Sequence, residues 1–202
     1  MSDAVLRQHH WTRPEWRRLV ESGALGPTRL VLRHGKIVEK MNIGSRHAHV
    51  VDQLTDQLTV GLAGTDLKVR SQNPIALAVD DEPEPDVVVC VRKTYFEDHP
   101  GPADIQLIIE VADTSLRVDH DAMVDYAAAG IGEAWIVNIP ARTVEVYTQP
   151  LNGNYQHTEH VSSGSCYAAG VAVNLSHLFP ASATADFPKP VTDLPAPRRP
   201  ND

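Results

Sequence analysis

The sequence is poor in the features that mark disulfide-rich, zinc-binding and membrane-spanning proteins. Only Cys90 and Cys166 are present among 202 residues, and they form neither a CxxC pair nor a Cys/His cluster, which argues against a disulfide framework or a structural zinc site. No apolar run approaches the roughly 20 residues that a membrane-spanning helix needs, and the first residues lack the pattern of a signal peptide. We therefore expect a cytoplasmic protein that does not enter a membrane.

Positive charge is also scarce. Lysine and arginine number 18 against 26 aspartate and glutamate residues, which gives a formal charge of −8. A nonspecific DNA-binding protein would need a basic face on this acidic body. Many of the basic residues do fall in the first quarter of the chain, among them Arg13, Arg17, Arg18, Arg29, Arg33, Lys36, Lys40 and Arg46. An ordinary solvated surface explains them better than a positive patch does, so the composition weakens DNA as a partner without excluding it.

Hydrophobic periodicity predicts one globular domain, residues 1–180, with an α/β fold. The predicted helices cover 14–22, 45–62 and 117–129, and the predicted strands cover 30–32, 36–41, 67–77, 86–91, 105–111, 134–139, 143–149 and 171–175. The last strand is expected to close the sheet. Because a helix separates the strands near 110 and 134, those strands should be parallel, with a right-handed crossover. The pattern indicates an α/β sandwich with a central mixed β-sheet flanked by helices.

Residues 181–202 differ from the rest in composition. They contain five prolines and almost no apolar pattern. We expect this segment to be a disordered or surface-draped tail outside the core.

Two acidic residues stand at the margins of short apolar strands. Asp86 opens the run Val87-Val88-Val89, and Glu110 follows Ile108-Ile109. A carboxylate at the edge of a buried strand is unfavourable unless something pairs with it. If the two strands are neighbours, the carboxylates converge and suit a divalent cation such as Mg²⁺ or Mn²⁺. The structural alternative, equally favoured on these two residues alone, is that Asp86 caps a turn while Glu110 pairs with an arginine.

Longer segments make the chain similar to a known family. The segments are "HGKIVEKMNIGSRHAHVV", "VRSQNPIAL", "EPEPDVVVC", "DIQLIIEVADTSLRVD" and "YAAAGIGEAWIVNIPARTVEVY". Together they resemble the Uma-two family, a branch of the PD-(D/E)XK superfamily of restriction-endonuclease-like proteins. The resemblance extends from Arg29 through Tyr147 and covers well over half the chain.

The resemblance implies a restriction-endonuclease-like fold and metal-dependent hydrolysis of phosphodiester bonds. Asp86 and Glu110 would be the acidic metal ligands. Gln72 and His47 match positions near the family's site, with His47 as a further metal ligand, although a strand-edge and a helix-start residue are equally good explanations. Members of this fold often pair, so a homodimer is expected by resemblance only.

The chain departs from the family pattern at its expected catalytic lysine. Counting back four residues from Tyr126 gives Ala122, and the next residue is Met123. In the hairpin, Val31 and His34 stand where the family has a glutamate and an aspartate. The alanine could be an introduced substitution, or the fold could have been diverted to another task. The basic role could also have passed to another residue, with Arg117, Lys36, Lys68 and Lys93 as candidates, although arginine is a poor proton acceptor.

Two functions therefore remain open. The first is a metal-dependent nuclease that uses Asp86 and Glu110, with Gln72 assisting. The second is a repurposed or inactive member, either an enzyme that acts on a small molecule through the same Asp/Glu/His site or a noncatalytic binding protein. With His34, His47 and His49 near the carboxylates, a transition metal could replace Mg²⁺, although His49 is better explained as a surface residue. A buried Asp86 paired directly with a cationic side chain would count against a metal at this site.

Overall fold

The computed structural model describes residues 7–26 and 28–181. Apart from Ala181, the predicted tail lies outside the described residues. The described helices are α1 (Arg13–Glu21), α2 (Ser45–Gly61), α3 (Leu116–Ala128) and α4 (Leu175–Leu178), with one 3₁₀ turn at Pro102–Asp104. The strands are β1 (Leu30–Arg33), β2 (Lys36–Glu39), β3 (Leu67–Ser71), β4 (Val87–Val91), β5 (Ile105–Ala112), β6 (Glu133–Asn138), β7 (Thr143–Leu151), β8 (Asn154–Val161), β9 (Ser165–Ala168) and β10 (Val171–Asn174).

Six strands form the central sheet in the order β3-β4-β5-β6-β7-β8. Strands β5 and β6 are parallel and are connected through α3, while the other neighbours in this sheet are antiparallel. This is the mixed sheet with a helical crossover that the sequence predicts. The expected α/β sandwich, with a central mixed sheet and flanking helices, is confirmed.

Both faces of the sheet are buried, which explains why its central strands are almost wholly apolar. In β4, Val87 and Val89 pack towards α2, whereas Val88 and Cys90 pack towards α3. The same alternation continues in β5, because successive side chains point to opposite faces of a strand. Helix α2 therefore covers one face and α3 the other, so most side chains of the central strands β4, β5 and β6 are buried on both faces.

Two predicted elements differ from the structure. The strand expected over 67–77 ends at Ser71, because Gln72 has a positive φ of 49° and Pro74 cannot donate to a ladder. The prediction that residues 171–175 close the central sheet is wrong. Strand β10 pairs with β9 in a separate two-stranded sheet, which packs against α2 through Val171 and Val173.

None of the described helices combines the length and the apolar character that crossing a membrane requires.

Candidate functional site

The antiparallel pairing of β4 and β5 brings Asp86 and Glu110 together. Val87 lies opposite Ile109, so the same antiparallel register places Asp86, just before β4, directly opposite Glu110 at one end of the pair. The backbone N–H of Asp86 points at Oε2 of Glu110, with an N···O distance of 3.4 Å. The two carboxylates that the sequence singles out therefore share one small region next to α3.

One oxygen of Asp86 is held in place by the protein. Its Oδ2 accepts the Val111 backbone N–H at 2.9 Å and lies 3.0 Å from Nε2 of His47. Its Oδ1 makes no hydrogen bond to any described residue. Asp86 is only 6 % exposed, and a buried Asp86 paired directly with a cationic side chain would count against a metal at this site. The partner is a histidine, which is itself a metal ligand when neutral, and no described lysine or arginine bonds to Asp86.

Glu110 lies in a less favourable electrostatic position. Its Oε1 accepts the Tyr126 hydroxyl at 2.5 Å. Burial, reinforced by the nearby negative charge of Asp86, raises the pKa of Glu110 to about 8, although the bond from Tyr126 acts in the opposite direction. No arginine bonds to Glu110 in the described part of the chain, which removes the structural explanation that paired it with one. The carboxylate pair therefore favours a bound positive charge.

Helix α3 places three further residues over this pair. Ala122 lies one turn before Tyr126 on the same buried face, and it is only 6 % exposed. Asp119, another turn back, accepts the Ser115 hydroxyl at 2.6 Å. Burial and repulsion by Asp86 raise the pKa of Asp119. The position expected to carry a lysine thus faces the site but offers only a methyl group.

The sequence did not identify the contact of Tyr126 with Glu110 or the proximity of Asp119. Helical spacing could have predicted both, because residues 119, 122 and 126 occupy positions i, i+3 and i+7 and so lie on a single face of the helix.

The lysines suggested as substitutes for position 122 lie elsewhere. Lys68 pairs across the strands with Cys90, three residues along β4 from Val87, which is about 10 Å at strand geometry. Its Nζ donates to the carbonyl of Lys93, and the Lys93 ammonium pairs with Asp104. A different lysine, Lys40, directly follows β2. Its Nζ donates to the carbonyl oxygen of Glu84 at 2.8 Å, two residues before Asp86.

Gln72 also borders the site. Its backbone N–H donates to the carbonyl oxygen of Asp86 at 3.0 Å. Its side-chain Nε2 is buried and has no hydrogen-bond partner among the described residues. An unsatisfied buried amide is unusual in a protein interior, and a ligand bound beside Asp86 could accept a hydrogen bond from it.

The three histidines expected near the carboxylates are distributed differently. Only His47 contacts Asp86. His49 is exposed and lies 3.0 Å from the His177 carbonyl oxygen. His34 joins Asp81 and Asp125 in a group whose ligand atoms lie within 4.8 Å of one another, a spacing that could hold a metal ion. The grouping of His34 with Asp86 and Glu110 is therefore wrong, whereas His49 is the surface residue that the sequence favoured.

The His34 group already contains a cation. The Arg33 guanidinium donates to Asp81 at 2.9 Å and to Asp125 at 2.7 Å. A divalent ion there would lie beside this guanidinium, whose positive charge already neutralises the carboxylates and repels a second cation. By contrast, Asp86 and Glu110 bond to no lysine or arginine within residues 7–26 and 28–181, and each has an oxygen free of strong bonds there. Their oxygen donors fit Mg²⁺ or Mn²⁺, and His47 would extend the set towards a transition metal.

We expect Glu110→Gln to stabilise the metal-free protein. Since the folded pKa of Glu110 is raised, its ionisation between about pH 4.5 and pH 8 opposes folding, and the penalty grows as pH rises through this window. Glutamine keeps an acceptor for Tyr126 without the charge. The free energy of unfolding, measured by urea titration, should exceed that of the wild type by about 1–3 kcal/mol at pH 8 and differ little at pH 4. A variant that is less stable than the wild type at pH 8 would contradict this electrostatic account.

Comparison with known proteins gives both a fold and a family. A crystal structure from Anabaena variabilis, titled as "a putative nuclease belonging to DUF820", superimposes with a TM-score of 0.63 at 17 % identity, over 83 % of this chain and 97 % of that one. At this identity the likeness shows the fold. No curated protein matches the chain. The model of the Uma2 family, described as "Putative restriction endonuclease", matches residues 21–186. This match confirms the resemblance drawn from the sequence, and the chain belongs to the Uma2 family.

Proposed function

We propose that the protein is a divalent-metal-dependent nuclease whose ion is held by Asp86 and Glu110. The family and the nuclease-like fold support a nuclease. The observation that carries the metal dependence is the close approach of the Asp86 and Glu110 carboxylates, to neither of which a described lysine or arginine is bonded. Such a pair is unfavourable in the absence of a cation. Mg²⁺ and Mn²⁺ are the ions whose preferred ligands match these oxygens.

Each neighbouring group has a part in holding the ligands. His47 and the Val111 N–H fix one oxygen of Asp86, which leaves Oδ1 for the ion. Tyr126 orients Glu110 through its Oε1, so Oε2 remains available. A bound divalent ion supplies a hydroxide nucleophile at neutral pH and polarises the phosphoryl group. The unpartnered amide of Gln72 would donate to a nonbridging phosphate oxygen, which places Gln72 as an assisting residue.

The proposed substrate is nucleic acid, and the acidic net charge of the protein limits how tightly it can bind this polyanion. Arg46, on the first turn of α2, lies 3.0 Å from Asp113, so part of the nearby positive charge is already compensated. Three cavities of about 620, 610 and 550 Å³ are formed by the described residues, and none of the three is lined by Asp86 or Glu110. These cavities give no support to an enclosed small-molecule site over the carboxylates. We expect weak binding of nucleic acid that falls steeply as salt is increased.

A second candidate is a metal-binding protein that does not cleave DNA. The burial of Ala122 over the carboxylates favours it, because no ammonium lies at that point of the site. The net charge of −8 also disfavours a polyanionic substrate. In this case the same Asp/Glu/His site would act on a small molecule or serve only to bind a ligand.

Cleavage assays distinguish the two candidates. Labelled single-stranded DNA, duplex DNA and RNA are incubated with purified protein at low salt and with Mg²⁺, Mn²⁺ or EDTA. The nuclease proposal expects cleavage with metal, none with EDTA and at least a hundredfold loss in Glu110→Gln, which should remain folded. Metal binding by calorimetry without cleavage of any of these substrates would reject the nuclease and support the second candidate.

A further inference from the structure

Lys40 brings an uncompensated positive charge to the edge of the carboxylate pair. Its neighbour Glu84 is bonded by two cations at the same oxygen: Oε1 lies 2.7 Å from the Arg29 guanidinium and 3.3 Å from the Lys40 ammonium. One carboxylate can neutralise only one of these charges. The summed formal charge of Arg29, Lys40 and Glu84 is therefore +1.

The excess charge lies on the side of Asp86. The Lys40 Nζ donates to the backbone carbonyl of Glu84 at 2.8 Å, and Glu84 is two residues before Asp86, whose N–H faces Glu110. The side chain of Lys40 is 24 % exposed, so its charge is only partly screened by solvent. In agreement with this placement, Lys40 acts to lower the pKa of Glu110 against the larger effects of burial and Asp86.

The ammonium also has an unused donor. A lysine carries three N–H donors, and the structure shows two acceptors for Lys40, both on Glu84. No third acceptor for its Nζ is present among the described residues. A phosphate group that approaches the two carboxylates needs such a cation beside the metal, because its own oxygens are negative.

We propose that Lys40 is a catalytic residue that binds the phosphate of the substrate at the Asp86–Glu110 site. This inference rests on the proposed nuclease function. Phosphate oxygens would take the third donor of Lys40, while the two acceptors of Glu84 hold the ammonium in position. The alternative is a structural role, in which Lys40 only ties the β1–β2 hairpin to the segment before Asp86.

The two roles predict different effects on two ligands. Removing a positive charge next to carboxylates strengthens the binding of a cation and weakens the binding of an anion. If Lys40 faces the phosphate, Lys40→Gln should bind Mn²⁺ about three- to tenfold more tightly. It should bind thymidine 5′-monophosphate at least about tenfold more weakly. If Lys40 only ties the hairpin, its loss should disorder the site and weaken both ligands together.

Calorimetry with Mn²⁺ on the metal-free protein, and with thymidine 5′-monophosphate on the Mn²⁺-loaded protein, tests the proposal. Lys40→Arg keeps the charge and should bind both ligands nearly as the wild type does. Lys36→Gln removes an exposed charge from the same hairpin and should change neither affinity. Opposite shifts confined to Lys40→Gln support the proposal. An unchanged affinity for the nucleotide, a parallel loss of both ligands, or failure of the wild type to bind the nucleotide would overturn it.

These outcomes are independent of the cleavage assay. A wild type that binds both ligands and cleaves nothing refutes the nuclease but leaves Lys40 as the phosphate-binding residue. Cleavage by the wild type with unchanged nucleotide binding in Lys40→Gln refutes only the role of Lys40.

Discussion

Asp86→Ala is expected to weaken the binding of Mn²⁺ by about a hundredfold or more. The substitution removes a proposed first ligand of the ion, and even the loss of a supporting residue behind a ligand commonly costs 10–100-fold in metal affinity. It also removes the repulsion between Asp86 and Glu110 that raises the pKa of Glu110. We therefore expect the variant to remain folded. Isothermal calorimetry measures the affinity, and circular dichroism checks the fold.

The matched control for this experiment is Asp125→Asn. Asp125 belongs to the His34 group, which has the spacing of a metal site but is bridged by Arg33. We expect this variant to bind Mn²⁺ as tightly as the wild type does. A loss of binding in Asp125→Asn, with Asp86→Ala unaffected, would move the metal to the His34 group and refute the proposed assignment of ligands.

Ala122→Lys is expected to increase metal-dependent cleavage at least about tenfold. Ala122 lies on the buried face of α3 one turn from Tyr126, so a lysine there would extend over Glu110, Asp86 and Asp119. The carboxylates would compensate its charge, and its ammonium could position or deprotonate the attacking water. Proton transfer by a positioned group commonly contributes 10²–10⁴-fold. Initial rates on labelled DNA at saturating Mn²⁺ measure the gain.

Val124→Lys provides the control for charge alone. Val124 lies on the same helix but is 50 % exposed, so its lysine adds the same charge to the surface rather than to the site. An equal increase in both variants would indicate nonspecific attraction of DNA. No increase in a folded, metal-binding Ala122→Lys protein would show that the site is not limited by the missing ammonium.

The carboxylate pair was predictable because its signal is local. Asp86 directly precedes a run of β-branched residues and Glu110 interrupts one, and strand alternation then determines the face on which each lies. The helices α2 and α3 were predictable for the same reason, since their periodicity reflects burial on one side. Ala122 was singled out by the resemblance, which expects a lysine four residues before Tyr126, and helical spacing explains why the two share a face.

Other features depend on contacts that no local pattern records. The alternation in β10 identifies a strand, but it does not reveal that the partner is β9 rather than the central sheet. His34 lies in the β1–β2 turn at a φ of 47°, and the hairpin as a whole brings it to Asp125 rather than to Asp86. The sequence did not single out Lys40, because its proposed role depends on Arg29 and Glu84, which approach it only in the folded chain.

The central claim is that Asp86 and Glu110 hold the metal ion, and a crystal structure of the Mn²⁺-soaked protein tests it most directly. Anomalous scattering from manganese identifies the ion independently of the surrounding density. We predict one strong peak within about 2.5 Å of oxygen atoms from both Asp86 and Glu110, at ordinary coordination distances. A peak confined to His34, Asp81 and Asp125, with Asp86 still bonded only to His47 and Val111, would contradict the claim.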